Sequence, residues 1–154
     1  MIFDLIEKKD KPGLKNAISR GIEAWVDNYG YSALHLALSK SDDEIAIMII
    51  EAGCDVNLQD SKGQTALHYC AFYNKHEIAK FIIEQGGDLS IADSFGNEPL
   101  WTAVMSDKGF GTHVEIVTLF INAGANPNHA NKVNKTPMMA AKELEYDEVL
   151  AALL

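Results

Sequence analysis

The feature that most constrains this fold is a sequence motif that returns at a constant period. The stretch "GYSALHLAL" begins at Gly30, and "GQTALHYCA" begins one period later, at Gly63. "GNEPLWTAV" follows after an equal step, at Gly96, whereas a fourth copy, "NKTPMMAAK", begins at Asn134, five residues later than a strict period requires. Such a period predicts a stack of similar units, each too small to bury an apolar core alone.

The second half of each unit repeats as well. The segments "EAGCDVN", "EQGGDLS" and "NAGANPN" follow three apolar stretches, and they contain Gly53, Gly86 and Gly124. The step from Gly53 to Gly86 equals the period of the first motif, and the step from Gly86 to Gly124 is five residues longer. The same five additional residues therefore lie within the third unit.

Each unit is predicted to contain two helices and a turn. Ser and Thr are favoured helix N-caps and Pro is favoured just inside a helix, so we expect the first helices to begin at Ser32, Thr65, Glu98 and Thr136. The second helices carry "EIAIMII", "EIAKFII", "EIVTLFI" and "EVLAALL", whose broad apolar surface predicts packing on both sides. The glycines then end these helices, and the Asp- and Asn-rich connections after them are typical of tight turns and hairpins.

These segments resemble the ankyrin repeat, whose pattern is G-x-T-P-L-H-x-A-A near the start and G-A-D-x-N near the end of the unit. The resemblance covers the chain from about Asp27 to its C-terminus. It implies an all-α ankyrin-repeat solenoid of stacked helix-turn-helix units joined by short β-hairpin-like loops. We expect a single domain over residues 1–154, with an N-terminal cap of two short amphipathic helices at 1–26, repeats at 27–59, 60–92 and 93–130, and a C-terminal capping repeat at 131–154.

The chain departs from this pattern at two kinds of position. Ala33 and Ala66 replace the proline, which is expected to loosen those helix starts slightly. Trp101 and Met139 replace the histidine, so the hydrogen bonds that the resemblance implies for that residue cannot form there. We expect apolar packing to substitute at both positions.

Composition limits the classes of function. The chain has 154 residues and a formal net charge of -9, which argues against nucleic acid as a partner, because phosphate backbones are bound mainly through Lys and Arg. Its two cysteines are too few for a disulfide scaffold, and its N-terminus lacks the pattern of a secretory signal peptide. The longest apolar run, Ile45 to Ile50, is far shorter than a membrane helix. We therefore predict a cytoplasmic protein without a membrane partner.

His68 and Cys70 form the pair that first suggests a metal site or a nucleophile. Positions i and i+2 of a helix project about 200° apart, so these side chains cannot share a metal ion. Cys70 and Cys54 occupy small-residue positions of the repeat and are predicted to be buried packing residues. The other histidines occupy structural positions or lack partners at ligand spacing: His35, His113, His76 and His129. The prediction is that there is no metal, no cofactor and no catalytic residue.

The inserted segment "KGFGT", Lys108–Thr112, raises an alternative function. Gly-x-Gly loops can cradle phosphate, but this segment follows a helix instead of a strand and lacks the Gly-Lys-Ser/Thr ending of such sites. A loop between the two helices of the third repeat is the favoured interpretation. Phe110 on this loop either extends a binding surface or shields a helix end.

The resemblance implies that partners bind the concave face, which is built from hairpin tips and first helices. Variable positions on this face include aromatic residues, and aromatic side chains are common anchors of protein interfaces. For Phe72 and Phe95, the alternative is that the side chain packs on a neighbouring turn and is not available to a partner. The predicted partner-binding residues are Tyr29, Tyr31, Lys62, Gln64, Phe72, Tyr73, Phe95, Asn97, Met105 and Phe110. Further variable positions are Asn28, Ser61, Ser94, Ser106, Lys132, Val133 and Lys135.

The leading functional hypothesis is a non-catalytic module that binds one protein partner as a monomer in a one-to-one complex. A small acidic unit without an attached effector domain favours an inhibitor, such as an immunity protein that neutralises a basic toxin or enzyme. The acidic clusters Asp42–Glu44 and Glu145–Glu148 either complement helix dipoles or steer a basic partner. The alternative is a structural adaptor or scaffold subunit that links two cytoplasmic proteins.

Overall fold

A computed structural model describes residues 2–21 and 25–154, and over these ranges the fold is all-α, with no β-strand and one isolated bridge between Val26 and Ser32. Met1 and residues 22–24 of the predicted N-terminal cap lie outside the described residues. The helices follow one another in pairs: α1 Ile2–Glu7, α2 Lys11–Ser19, α3 Ala33–Ser39, α4 Asp43–Glu51, α5 Ala66–Tyr73, α6 His76–Glu84, α7 Pro99–Asp107, α8 Val114–Asn122, α9 Pro137–Glu143 and α10 Asp147–Leu153.

The first helix of each unit begins where the sequence predicts. The hydroxyls of Ser32 and Thr136 accept hydrogen bonds from the amides three residues further on, at 3.2 and 3.1 Å. Thr65 forms a capping box at the start of α5. Glu98 occupies the same place before α7, but its side chain makes no capping bond, and Pro99 follows in the first turn. Glu98 is therefore the exception among the four caps.

The glycines after the second helices adopt the left-handed backbone that ends a helix. The φ angles of Gly53, Gly86 and Gly124 are +86°, +92° and +96°. An L-residue with a side chain is strained at such angles, so glycine at these positions stops α4, α6 and α8 and turns the chain into the next connection.

Each connection leads into a tight turn, which we call a tip, and the four tips are residues 27–31, 60–64, 93–97 and 131–135. In all four, the first amide donates to the fifth carbonyl at 2.9 Å. The side-chain oxygen of the first residue, Asp27, Asp60, Asp93 or Asn131, accepts two further amide hydrogen bonds inside its own tip. The tips are therefore closed like hairpins without forming strands.

The helices stack in two layers. In the inner layer, α5 packs between α3 and α7, and α7 contacts α9. In the outer layer, α6 packs between α4 and α8, and α8 contacts α10. At the N-terminal end, α1 packs on α3. The repeated leucines Leu34, Leu67 and Leu100 are no more than 2% exposed, so the period places one core residue in each unit. The predicted all-α solenoid with hairpin-like loops is confirmed.

The five inserted residues of the third unit form a loop around one buried carboxylate. Asp107 is 1% exposed, and its two oxygens accept hydrogen bonds from the amides of Gly111 at 2.9 Å and His113 at 2.8 Å. The amides of Gly111 and His113 therefore donate to a carboxylate of the chain itself and are not available to a phosphate. This supports the interpretation of "KGFGT" as a connecting loop.

Two expectations about packing are corrected by the structure. Met139 stands at the position of the repeat histidine but is 47% exposed, so apolar packing does not substitute there; Trp101 is half-buried against the core, as expected. Cys54 packs against the core but is half-buried instead of buried, because it lies in the open connection after α4, whereas Cys70 is enclosed within α5.

Candidate functional site

The two repeat histidines join neighbouring units and are not free for chemistry. Nε2 of His35 donates to the carbonyl of Gln64, and Nε2 of His68 donates to the carbonyl of Asn97, both at 2.9 Å. Each Nδ1 faces the N-cap residue of its own helix. Burial lowers the pKa of both rings, which favours the neutral form that this bonding pattern requires. Both histidines therefore connect one unit to the tip of the next.

Neither thiol has the environment of a reactive cysteine. Burial raises the pKa of Cys54 to about 11 and raises that of fully buried Cys70 as well, so both are thiols at neutral pH. Across residues 2–21 and 25–154, no three His, Cys, Asp or Glu side chains lie close enough together to hold a metal ion. No helix within these ranges is long and apolar enough to span a membrane.

Four aromatic side chains form a continuous line over the first and second full repeats, which we call the aromatic row: Tyr31, Tyr69, Tyr73 and Phe72. Ring centroids are 6.4 Å apart for Tyr31 and Tyr69, 6.3 Å for Tyr69 and Tyr73, and 5.0 Å for Tyr73 and Phe72. The row begins at the first tip and ends at the last turn of α5. It connects a tip with an inner helix across one repeat boundary.

The inner part of the aromatic row is fixed and the outer part is open. Tyr31 stacks on His35 with centroids 5.6 Å apart, and the Tyr69 hydroxyl donates to Asp60 Oδ2 at 3.0 Å. Burial raises the pKa of Tyr69, which keeps this hydroxyl protonated. In contrast, Phe72 is 62% and Tyr73 38% exposed. Tyr73 packs on the fixed ring of Tyr69, and Phe72 packs on Tyr73, so these two rings offer accessible contact area at little cost in side-chain entropy.

Three predicted residues project from the tips. The amide of Ser94 donates to the carbonyl of Lys62 at 2.9 Å, and the amide of Lys132 donates to the carbonyl of Phe95 at 3.0 Å, so the last three tips are joined. Phe95 is 68% exposed, and Lys62 is exposed on the adjacent tip. Tyr29 projects from the first tip with 86% exposure. Phe95 thus does not fold onto a neighbouring turn.

The remaining predicted residues differ in how free they are. Gln64 and Asn97 are half-buried, and the Asn97 side-chain oxygen already accepts a hydrogen bond from Asn131. Met105 is 37% exposed near the end of α7. Phe110 is 78% exposed on the inserted loop and makes no ring contact with the aromatic row in the described ranges. Gln64 and Asn97 are therefore the weakest candidates for partner contacts.

Tyr69 is a member of the aromatic row that the sequence analysis does not predict. It directly follows the repeat histidine and lies inside the repeated motif itself. The signal that could have found it is the difference between units, because Leu36 and Thr102 occupy the same position and only Tyr69 is aromatic. Its ring contacts both Tyr31 and Tyr73, so the row would be interrupted without it.

The acidic clusters are not equivalent. In the first cluster, Asp42 caps α4, Asp43 pairs with Lys75 at 2.9 Å, and Glu44 pairs with Lys11. The second cluster, Glu145–Glu148, has three exposed carboxylates without ion pairs in the part of the chain that the structure describes. Of the two clusters, the second, at the start of α10 and beside the inserted loop, is therefore the one whose negative charge is not compensated by ion pairs.

Comparison with known proteins supports the repeat interpretation of this geometry. A family model described as ankyrin repeats (3 copies) matches two overlapping stretches of the chain, residues 42–130 and residues 67–154. The two matches together extend from the start of α4 to the end of the chain. A search among curated proteins finds no match for the chain.

Proposed function

The chain belongs to the ankyrin repeat family, whose repeats indicate a protein–protein interaction module, and on this premise we propose that it binds one protein partner through the aromatic row and the adjoining tips. The proposed contact residues are those predicted above, with Tyr69 added and with Gln64 and Asn97 contributing least. The family is typically non-catalytic, and we propose that this chain acts by binding and has no catalytic activity of its own.

The aromatic row is the observation that carries the proposal. Isolated exposed apolar side chains are normal on a protein surface, but a connected line of them has a more specific meaning. Here the inner rings of Tyr31 and Tyr69 are fixed by ring and hydrogen-bond contacts, and the outer rings of Phe72 and Tyr73 remain exposed. Tyrosine-rich surfaces of this kind supply the central anchors of protein interfaces.

Within this proposal, the partner is a basic protein, and the chain inhibits it in the manner of an immunity protein against a toxin or enzyme. Two observations support this choice: the formal net charge of -9, and the exposed carboxylates of Glu145–Glu148 without ion pairs in the described part of the chain. Opposite charge accelerates association more than it strengthens the final complex. We further propose a cytoplasmic monomer that forms a one-to-one complex and binds neither nucleic acid nor membranes.

The test is a comparative capture from the native host, with the wild-type chain and the Tyr73→Ala variant as baits. Ile47→Ala is the matched control, because Ile47 is 36% exposed on the outer helix α4 and Tyr73 is 38% exposed on α5. A partner of the proposed site is enriched by the wild-type and Ile47→Ala baits and depleted with Tyr73→Ala. Equal recovery with all three baits would place the binding surface elsewhere.

Stoichiometry and activity separate the inhibitor from an adaptor. An inhibitor forms a one-to-one complex in light scattering and abolishes the activity of the captured partner. An adaptor holds two different proteins at once and silences neither. An association rate that does not change between low and high salt would contradict a basic partner, because exposed charges are screened within about 8 Å at physiological ionic strength.

A further inference from the structure

A second unusual feature lies away from the aromatic row, where the connections after α6 and α8 meet the start of α7. One unit earlier, the corresponding connections are joined by a side chain. Asn57 Nδ2 donates to the carbonyl of Gly86 at 3.0 Å, and Asn57 Oδ1 accepts from the amide of Asp88 at 2.8 Å. This side chain bridges the first connection to the second.

The next unit lacks this bridge. Ser90 stands one full period after Asn57, and its short hydroxyl donates back to Asp88 Oδ1 at 2.6 Å instead of reaching forward. The carbonyl of Gly124 and the amide of Asn126, which correspond to the bridged groups of the earlier unit, have no such bond in the described ranges. A cavity of about 600 Å³ lies there, lined by Asp88, Ser90, Glu98, Gly124 and Asn126.

Glu98 places a carboxylate in this cavity instead of a capping hydroxyl. Its side chain is 9% exposed, and Oε1 lies 3.1 Å from Nδ1 of His129. Oε2 has no hydrogen-bond partner within residues 2–21 and 25–154. Burial raises the pKa of Glu98, and the nearby carboxylate of Asp88 raises it further, whereas His129 lowers it. Two acidic residues, Glu98 and Asp88, line the cavity, and no Lys or Arg of the described residues does, so the lining is acidic.

We propose that this cavity binds an organic cation, an alkylammonium or guanidinium group, between the carboxylates of Glu98 and Asp88. Nitrogen-bound hydrogens of the cation donate to Glu98 Oε2 and to the unbridged carbonyl of Gly124, and the apolar stem lies along Ile83 and Leu89, which also line the cavity. The volume is far larger than a bare metal ion needs, and the described residues offer no group of three metal ligands. The site does not depend on the aromatic row.

Residues at the equivalent positions of the other units suggest two conservative variants for a test. Glu98→Thr restores the residue found at Thr65 and Thr136, and Ser90→Asn restores the bridge that Asn57 makes. Both variants follow the pattern of units that fold within the same molecule, so we expect both to keep the fold. Glu51→Gln, which removes an exposed carboxylate of α4, is the control for the lost negative charge.

The measurement is a titration of the ¹⁵N-labelled protein with butylammonium and methylguanidinium, followed by amide chemical shifts. We expect saturable shifts at the amides of residues 88, 90, 98, 124 and 126, weakened at least about tenfold in Glu98→Thr and Ser90→Asn and unchanged in Glu51→Gln. Uncharged butanol is expected to cause no shift. Shifts that do not saturate, or that are the same in all variants, would overturn the proposal.

A competition experiment then identifies the source of the cation. If the native partner inserts a Lys or Arg side chain, the complex no longer responds to butylammonium at these amides. If the natural ligand is a free small amine, the complex responds as the free chain does. Because the probes are used without the partner in the first titration, failure of the cavity proposal leaves the proposed function of the aromatic row untouched.

Discussion

Replacing His68 by Ala tests whether the repeat histidines hold the solenoid together, as their hydrogen bonds indicate. His68 is 1% exposed; Nε2 donates to the carbonyl of Asn97 in the next tip, and Nδ1 accepts from the amide of Thr65 at 3.1 Å. Each net hydrogen bond contributes about 0.5–1.5 kcal/mol, and an amide left unpaired in a buried site costs about 1–3 kcal/mol. Since Thr65 is fully buried, we expect His68→Ala to lower the free energy of unfolding by roughly 2–4 kcal/mol.

Met139→Ala is the matched control, because Met139 occupies the same repeat position in the last unit and is 47% exposed. Its removal is expected to cost less than about 1 kcal/mol, since exposed substitutions away from special features have small effects. The assay is urea unfolding followed by circular dichroism, with equal slopes required for a valid comparison. Equal losses in the two variants, or a loss below about 1 kcal/mol in His68→Ala, would refute the reasoning.

Three further predictions concern the core, the histidines and the thiols. Leu67→Ala truncates a core side chain that is 1% exposed, and it is expected to lower the free energy of unfolding by about 2–5 kcal/mol. The measurement is thermal unfolding, and an unchanged melting temperature would contradict the repeat register. Burial lowers the pKa of His35 and His68 below the ordinary value of 6.5, so the unfolded chain binds more protons than the folded chain in acid. The contribution of these histidines to stability is therefore full above about pH 6.5 and is lost as the pH falls through their folded-state pKa values. We expect the free energy of unfolding to depend less steeply on pH in His68→Ala, and an unchanged pH dependence would contradict the role of His68. Because burial raises the pKa of Cys54 to about 11, a disulfide reagent at pH 8 is expected to label the folded chain slowly and the urea-unfolded chain rapidly, and rapid labelling of the folded chain would show a reactive thiol.

The helices and their ends could be predicted because they depend on local chemistry that repeats. Caps such as Thr65 and glycines such as Gly86 act within a few residues of their own helix, so the period alone locates them. The exposure of Met139 was not predictable in this way. It depends on which elements pack beside α9, and in the described part of the chain these are α7 and α10.

The candidate sites were predicted only in part because they depend on neighbours distant in the sequence. Phe72 and Tyr73 were found as variable positions, but Tyr69 was missed since its contact with Tyr31 joins two different repeats. The pairing of His129 with Glu98 was missed for the same reason, because the two residues are not at any ligand spacing along the chain. Only the stacking of units brings such residues together.

The central claim is that this chain binds a protein partner through the aromatic row, and calorimetry with the captured partner tests it most directly. Tyr73→Ala is expected to weaken binding by about 1–2 kcal/mol, roughly tenfold in Kd, with the fold intact by circular dichroism. Tyr31→Ala is also expected to weaken binding, but it removes a ring stacked on His35 and so disturbs the repeat boundary as well. A Kd that is unchanged in Tyr73→Ala and equal to that of Ile47→Ala would contradict the claim.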